Sequence, residues 1–146
     1  MDEALAIAAK IAKPFEGLSL TPYHDPVGYP TIGYGRLLSR VKWEPLSKWQ
    51  PITEEQAEEY LEVDMRKAAR QAHKLCPPQT VEHWAALTDF CYNCGSGNLE
   101  VSTLRRRYNR GDIAGARDEF KRWVYAAGIK LNGLIRRRAA EAALMR

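Results

Sequence analysis

Phe15-Glu16-Gly17-Leu18, Tyr23-His24-Asp25 and Gly28-Tyr29-Pro30-Thr31-Ile32-Gly33-Tyr34-Gly35 follow one another closely, and the way this stretch reads decides the fold. From Gly17 to Arg36, Pro22, Pro26, Gly28, Pro30, Gly33 and Gly35 exclude a helix, while the intervening Tyr, Thr, Val and Ile favour short strands. A β-hairpin turning between Pro26 and Pro30 is expected. Just before it, Leu5, Ala8, Ala9, Ala12 and Phe15 recur close to helical spacing, and Asp2 and Glu3 complement the positive end of a helix dipole. A helix over 2–15 follows, which places Glu16 at the junction of helix and hairpin.

Downstream the pattern is helical. Thr53-Glu54-Glu55-Gln56 has the form of a capping box and opens a long helix to about Leu75, ended by Cys76-Pro77-Pro78. A second helix is expected from Val81 to Tyr92, with Val81, Trp84, Ala85, Leu87, Thr88 and Cys91 on its apolar side, before Gly95 and Gly97 break it. Shorter helices are expected over 102–109 and over 113–124, the latter capped by Asp112, and a last one over 133–145. No repeat or linker interrupts the plan. The fold class is therefore α+β, a small hairpin-containing lobe packed beside a mainly helical lobe, with residues 1–146 expected to form a single domain.

Composition sets the bounds on function. The 146 residues are 45% hydrophobic and 27% charged, a balance that suits a folded globular chain and excludes a disordered or fibrous one. A formal net charge of +4 favours approach to a polyanion: nucleic acid, a membrane surface or a bacterial envelope. Three cysteines, an odd number, argue against a disulfide framework. Cys91 and Cys94 form a C-x-x-C without a second pair or a nearby His, and His24, His73 and His83 are dispersed, so no metal site is expected. No export signal is read at the N-terminus, and no segment has the roughly 18 consecutive apolar residues of a membrane span.

Glu16, Asp25 and Thr31 are the candidates to carry chemistry. After Phe15, the Glu16 carboxylate can be partly desolvated and so kept protonated as a general acid. Asp25 enters the turn and Thr31 begins the returning strand, so the two can face each other across the hairpin. Glycoside hydrolysis needs a set of this kind, an acid for the leaving oxygen and a carboxylate on the opposite face. The face carrying Thr31, Gly33 and Gly35 is nearly free of side chains, open to close approach by a sugar ring or by another element. The same residues also read as a solvated helix end, a turn-forming Asp before Pro and ordinary hairpin chemistry.

The three segments quoted first resemble the signature of phage lysozymes of glycoside hydrolase family 24: Glu, eight residues, Asp or Cys, five residues, Thr. The likeness continues through Asp89-Phe90, Tyr92-Asn93 with Gly95, Ser102-Thr103-Leu104 with Asn109, and Gly133-Leu134 with Arg137-Arg138. Arg36 departs from the pattern, because the family often has His after the last glycine. The resemblance implies a lysozyme fold and a peptidoglycan hydrolase (muramidase), cleaving the β-1,4 bond between N-acetylmuramic acid and N-acetylglucosamine with inversion and without a cofactor. Glu16 would be the acid, Asp25 the water-orienting carboxylate and Thr31 its partner. It further implies host lysis at phage release, holin-dependent passage, and residence in the host cytoplasm before lysis and in the periplasm or cell wall afterwards.

Tyr92, Asn93 and Gly33 are candidate sugar contacts, although a core role for Tyr92 and a capping role for Asn93 fit the sequence equally. Three consecutive arginines on a helix cannot share one face, so some of Arg105–Arg107 and Arg136–Arg138 must point inward or toward a cleft. Trp84 and Trp123 fit apolar helix faces; Trp43 and Trp49 flank a loop. Among rival functions, a lytic transglycosylase would have no use for Asp25 and Thr31. A basic, partly apolar helix over 131–146 fits a membrane-disrupting or wall-binding protein. No nucleic-acid motif is present. Neither a nucleic-acid partner nor stable membrane insertion is expected, and the chain is read as a monomer.

Overall fold

The computed structural model describes residues 1–146, and the chain divides into two compact units, 16–64 and 1–15 with 65–146. In the first unit, β1 (Ser19–His24), β2 (Pro30–Gly33) and β3 (Arg36–Leu37) form an antiparallel sheet in the order β1-β2-β3. The expected hairpin is thus joined by a third short strand. Tyr23 pairs with Thr31 and His24 with Pro30, and the register shifts between Tyr23 and Ser19. Pro22 lies in that interval and has no N–H to give a ladder, while the Leu20 carbonyl accepts from Ile52 N at 2.8 Å. β2, in the middle, is buried throughout. A short 3₁₀ turn (Leu46–Lys48) leads to helix α2 (Glu54–Leu75), of which residues 54–64 belong to this unit. The Thr53 capping box forms as expected, Thr53 N donating to Gln56 Oε1 and Gln56 N to Thr53 Oγ1.

The second unit holds α1 (Asp2–Glu16) up to Phe15, residues 65–75 of α2, and then α3 (Val81–Cys94), α4 (Ser96–Glu100), α5 (Thr103–Asn109), α6 (Ile113–Glu119) and α7 (Asn132–Ala143). Two elements depart from the sequence expectation. Gly95 does end α3, but Ser96-Gly97-Asn98 starts a further helix, α4, instead of a loop. The helix expected over 113–124 stops at Glu119, passes through a 3₁₀ turn, and gives way to a small hairpin of β4 (Tyr125–Ala126) and β5 (Ile129–Lys130). Ala127 and Gly128, both at positive φ, make its turn. The Asp112 cap is present, Oδ1 accepting from Gly115 N.

α3 is buried on more than one face: Ala85, Ala86, Leu87, Thr88, Asp89, Phe90 and Cys91 are all buried. A helix surrounded in this way is a core helix, not an amphipathic surface one. Leu99, Leu104, Tyr108, Phe120 and Met145 complete the core about it. The arginine runs resolve as their geometry requires. Arg105 donates through Nε to the Leu75 carbonyl, where Asn109 also donates, so the orphan end of α2 is satisfied. Arg136 is exposed, while Arg137 and Arg138 are 2% and 1% exposed.

Those two arginines sit among buried acids. Arg137 Nε and Nη2 bond the two oxygens of Asp89 at 2.9 and 2.8 Å, and Arg138 Nε is 2.7 Å from Glu141 Oε1. Burial first, then the hydrogen bond and charge of Asp89, push the Glu141 carboxyl well above the usual range, and the opposing pull of Arg138 is smaller. A carboxyl raised on folding keeps its proton longer in the folded than in the unfolded chain. The stability it contributes is therefore complete below about pH 4.3 and is lost as pH rises through the folded value. Glu141→Gln retains the shape and removes the titration. Its unfolding free energy should fall less than that of the parent as pH rises from about 4.5 to 8, the difference between the two growing by at most about 1.4 kcal/mol per pH unit. Unfolding free energies that stay parallel over that range would refute this.

Candidate active site

Glu16 is the last residue of α1, which ends there because Gly17 adopts a left-handed φ of 69°. Its side chain is half-buried, and its carboxylate is placed against Gly35. A β-carbon at Gly35 would lie 2.5 Å from Glu16 Oε2, so the glycine that lets the strand turn at φ 82° also makes room for the acid. The sequence signals the turn at Gly35 but not this second role.

Asp25 is held by its own turn. Its Oδ1 accepts the N–H groups of Val27, Gly28 and Tyr29 at 2.9, 2.8 and 2.8 Å. Its main chain closes the loop by donating to the Tyr29 carbonyl and accepting from Gly28 N. One carboxylate oxygen is thus fixed by three donors, and the turn's N–H groups leave Oδ2 as the oxygen available to a proton or a water. Thr31 does not stand directly opposite Asp25, as the sequence suggested. The register sets Thr31 against Tyr23, and the Asp25–Tyr29 bond sets Asp25 against Tyr29. Alternation along each strand still leaves Asp25 and Thr31 on the same face, on a diagonal. Thr31 is 4% exposed and its Oγ1 donates to the Tyr29 carbonyl at 2.8 Å, which leaves the oxygen's lone pairs as acceptors.

Tyr23 feels the charge of both acids. Its phenol is pushed above its ordinary value, first by burial and then by the negative charges of Glu16 and Asp25. A group raised by both carboxylates lies within electrostatic reach of both. Arg36, where the sequence departs from the family pattern, stacks over the Tyr60 ring at 4.1 Å with its Nε 3.9 Å from Asp64.

The remaining candidates are placed differently. Gly33 is buried, and the close approach there is made by Ala57 and Ile52, each 3.7 Å from where its β-carbon would be. Tyr92, in α3, packs partly buried against the core of the helical unit. Asn93 caps nothing, since α3 runs on to Cys94; its Oδ1 accepts from Arg138 Nη2 at 2.6 Å. Cys76, Cys91 and Cys94 are free thiols. Burial pushes Cys76 to about 11 and Cys91 to about 12, and raises Cys94 as well, so these are poor nucleophiles near neutral pH.

Residues 13–141 match the phage lysozyme family. The chain belongs to that family. It is 38% identical over 129 residues to a SAR-endolysin of Bacteriophage PS119, covering 86% of this chain and 73% of that one. Among solved structures, the endolysin of Escherichia coli O157:H7 phage FAHEc1 superposes with a TM-score of 0.79 at 33% identity, over 99% of this chain and 91% of that one. The muramidase domain of SpmX from Asticaccaulis excentricus gives 0.80 at 30% identity, over 94% and 93%. The chain is thus a glycoside hydrolase of the lysozyme class, an endolysin with an α+β lysozyme-like fold.

The contact between Gly35 and Glu16 in this lysozyme yields a direct prediction. Gly35→Ala should reduce lytic activity at least tenfold, because the new methyl group comes within 2.5 Å of Glu16 Oε2 and forces the carboxylate to move. Gly111→Ala is the control: Gly111 also has positive φ, 85°, but nothing lies within 4 Å of its β-position. Both variants carry the cost of a left-handed non-glycine, on the order of 1 kcal/mol. Both should lose a few degrees of melting temperature, and Gly35→Ala alone should lose turbidity-clearing activity. Equal activities would show that Glu16 does not depend on its seat against Gly35.

Proposed function

We propose that residues 1–146 act as one catalytic domain that hydrolyses the β-1,4 bond between N-acetylmuramic acid and N-acetylglucosamine with inversion, using Glu16, Asp25 and Thr31. The observation that carries this reading is the unequal preparation of two carboxylates in one small unit: Glu16 half-buried against Gly35, and Asp25 fixed through one oxygen by three N–H groups. In the reaction, the Glu16 carboxyl gives its proton to the glycosidic oxygen as the bond from that oxygen to the anomeric carbon breaks. A water accepted by Asp25 Oδ2 and oriented by Thr31 Oγ1 attacks that carbon from the opposite face, and Asp25 takes the water's proton. Carboxyl groups on the order of 6.5–9.5 Å apart leave room for such a water. Tyr92 and Asn93 enter as secondary sugar contacts, and Gly33 as a packing position beneath Ala57.

Passage to the wall is proposed to need a holin. No helix is long and apolar enough to cross a membrane, and relatives named SAR-endolysins make membrane-tethered export the competing route. Lysis on expression in a bacterial host with a co-expressed holin, and none without it, is the expected result. Lysis without the holin would favour export. The protein is expected to run as a monomer in size-exclusion chromatography.

Glu16→Gln should keep the circular dichroism spectrum and lose at least 10²-fold in activity, about the contribution of a positioned general acid. Asp25→Asn should lose a similar factor. Proton NMR of the first products should show the α-anomer. A β-anomer, or near-normal activity of Asp25→Ala, would exclude the inverting mechanism.

A further inference from the structure

Trp43 is 63% exposed and has a left-handed φ of 62°, a conformation that costs a non-glycine residue on the order of 1–3 kcal/mol. An indole is the largest apolar side chain, and holding it in water with a strained backbone gains nothing from core packing. Specific contacts nonetheless maintain it. The Trp43 backbone N–H donates to the Gly28 carbonyl at 2.7 Å, and the ring lies over Gly28 at its fusion bond. A β-carbon at Gly28 would come within 2.5, 2.8 and 2.9 Å of Cε2, Nε1 and Cδ2, so only glycine admits the ring. The His24 ring tilts against it with centroids 5.2 Å apart, and His24 Nε2 is in turn hydrogen-bonded to the Glu44 carbonyl at 2.8 Å. The indole is seated on Gly28 by one side of its ring system, and most of the residue's surface is presented to solvent.

Gly28 is also one of the three donors to Asp25 Oδ1. The indole and the proposed water-orienting carboxylate therefore flank the same glycine, no more than about 8 Å apart along that path by ordinary bond lengths. That is the scale of one or two sugar rings. A flat, rigid, half-anchored indole suits the C–H face of a pyranose, whose hydroxyl groups point outward to water.

We propose that Trp43 is a stacking platform for a sugar residue of the glycan strand, next to the bond cleaved at Asp25. This rests on the reading of Asp25 and Glu16 given above. The neighbouring Leu37 and Val41 are exposed as well, at 43% and 60%, and with Arg40 and Lys42 could instead serve an anionic lipid surface. The seating of the indole on the Asp25 turn favours the glycan.

The test uses the inactive Glu16→Gln protein and peptidoglycan glycan strands freed of stem peptides. Trp43→Ala in that background should weaken binding at least tenfold, and Trp43→Phe should recover most of it. Tryptophan emission should shift to the blue when strands bind, and that shift should vanish in Trp43→Phe. In the active enzyme, Trp43→Ala should raise KM with kcat within about twofold, the pattern of lost uniform binding. Equal strand binding by Trp43→Ala would overturn the platform alone, as would loss only of binding to phosphatidylglycerol vesicles. Failure of the Glu16→Gln parent to bind strands would overturn the platform together with the glycan reading.

Discussion

Three successive N–H groups converge on one oxygen of Asp25, and much of the smaller unit depends on that convergence. It closes the turn at Tyr29, which sets the register that pairs Tyr23 with Thr31. It fixes Gly28 in a conformation, φ 107°, that leaves the glycine bare for the Trp43 indole. It also distinguishes the two carboxylate oxygens, one held by the turn and the other outside that set of bonds. A charge-assisted bond to backbone N–H is stronger than a neutral one, and three of them on a short turn make the side chain as rigid as the main chain. Rigidity of this kind suits the water-orienting role proposed for Asp25, since a misplaced nucleophile forfeits much of the advantage of proximity.

The helical unit solves a different problem, the joining of α3 to α7. Asp89 and Arg137 meet with both carboxylate oxygens engaged, and Arg138 lies beside Glu141 and Asn93. Such groups cost several kcal/mol each to desolvate and are tolerated only with close partners. Apolar side chains could fill the same volume in several ways, whereas a two-pronged guanidinium bond has one register. The Arg137 guanidinium also lies 5.8 Å from the Phe15 ring centroid, so the same residue that fixes α7 on α3 packs against Phe15 in the last turn of α1.

Helices were readable wherever local chemistry specifies them: the Thr53 capping box, the Asp112 cap and the Pro77-Pro78 stop all act within a few residues of themselves. The β4–β5 hairpin was not readable, because its turn uses Ala127 at φ 51°, a residue with no intrinsic preference for that region. α4 escaped notice for a related reason. Its Ser-Gly-Asn beginning has weak helix propensity, and the buried Leu99 holds it in place.

The sequence by itself determined the class of fold, the candidate pair Glu16 and Asp25, and the turn between them, because spacing, proline and glycine act locally. Only the tertiary structure decided what each glycine faces: the Glu16 carboxylate at Gly35, the Trp43 indole at Gly28, and Ala57 with Ile52 at Gly33. It likewise decided that Thr31 pairs with Tyr23 and that α3 is buried around Asp89. The reason is physical. A residue's conformational freedom is written in its own side chain, but the atom that comes to occupy the space beside it belongs to a residue far along the chain, brought there by packing and register.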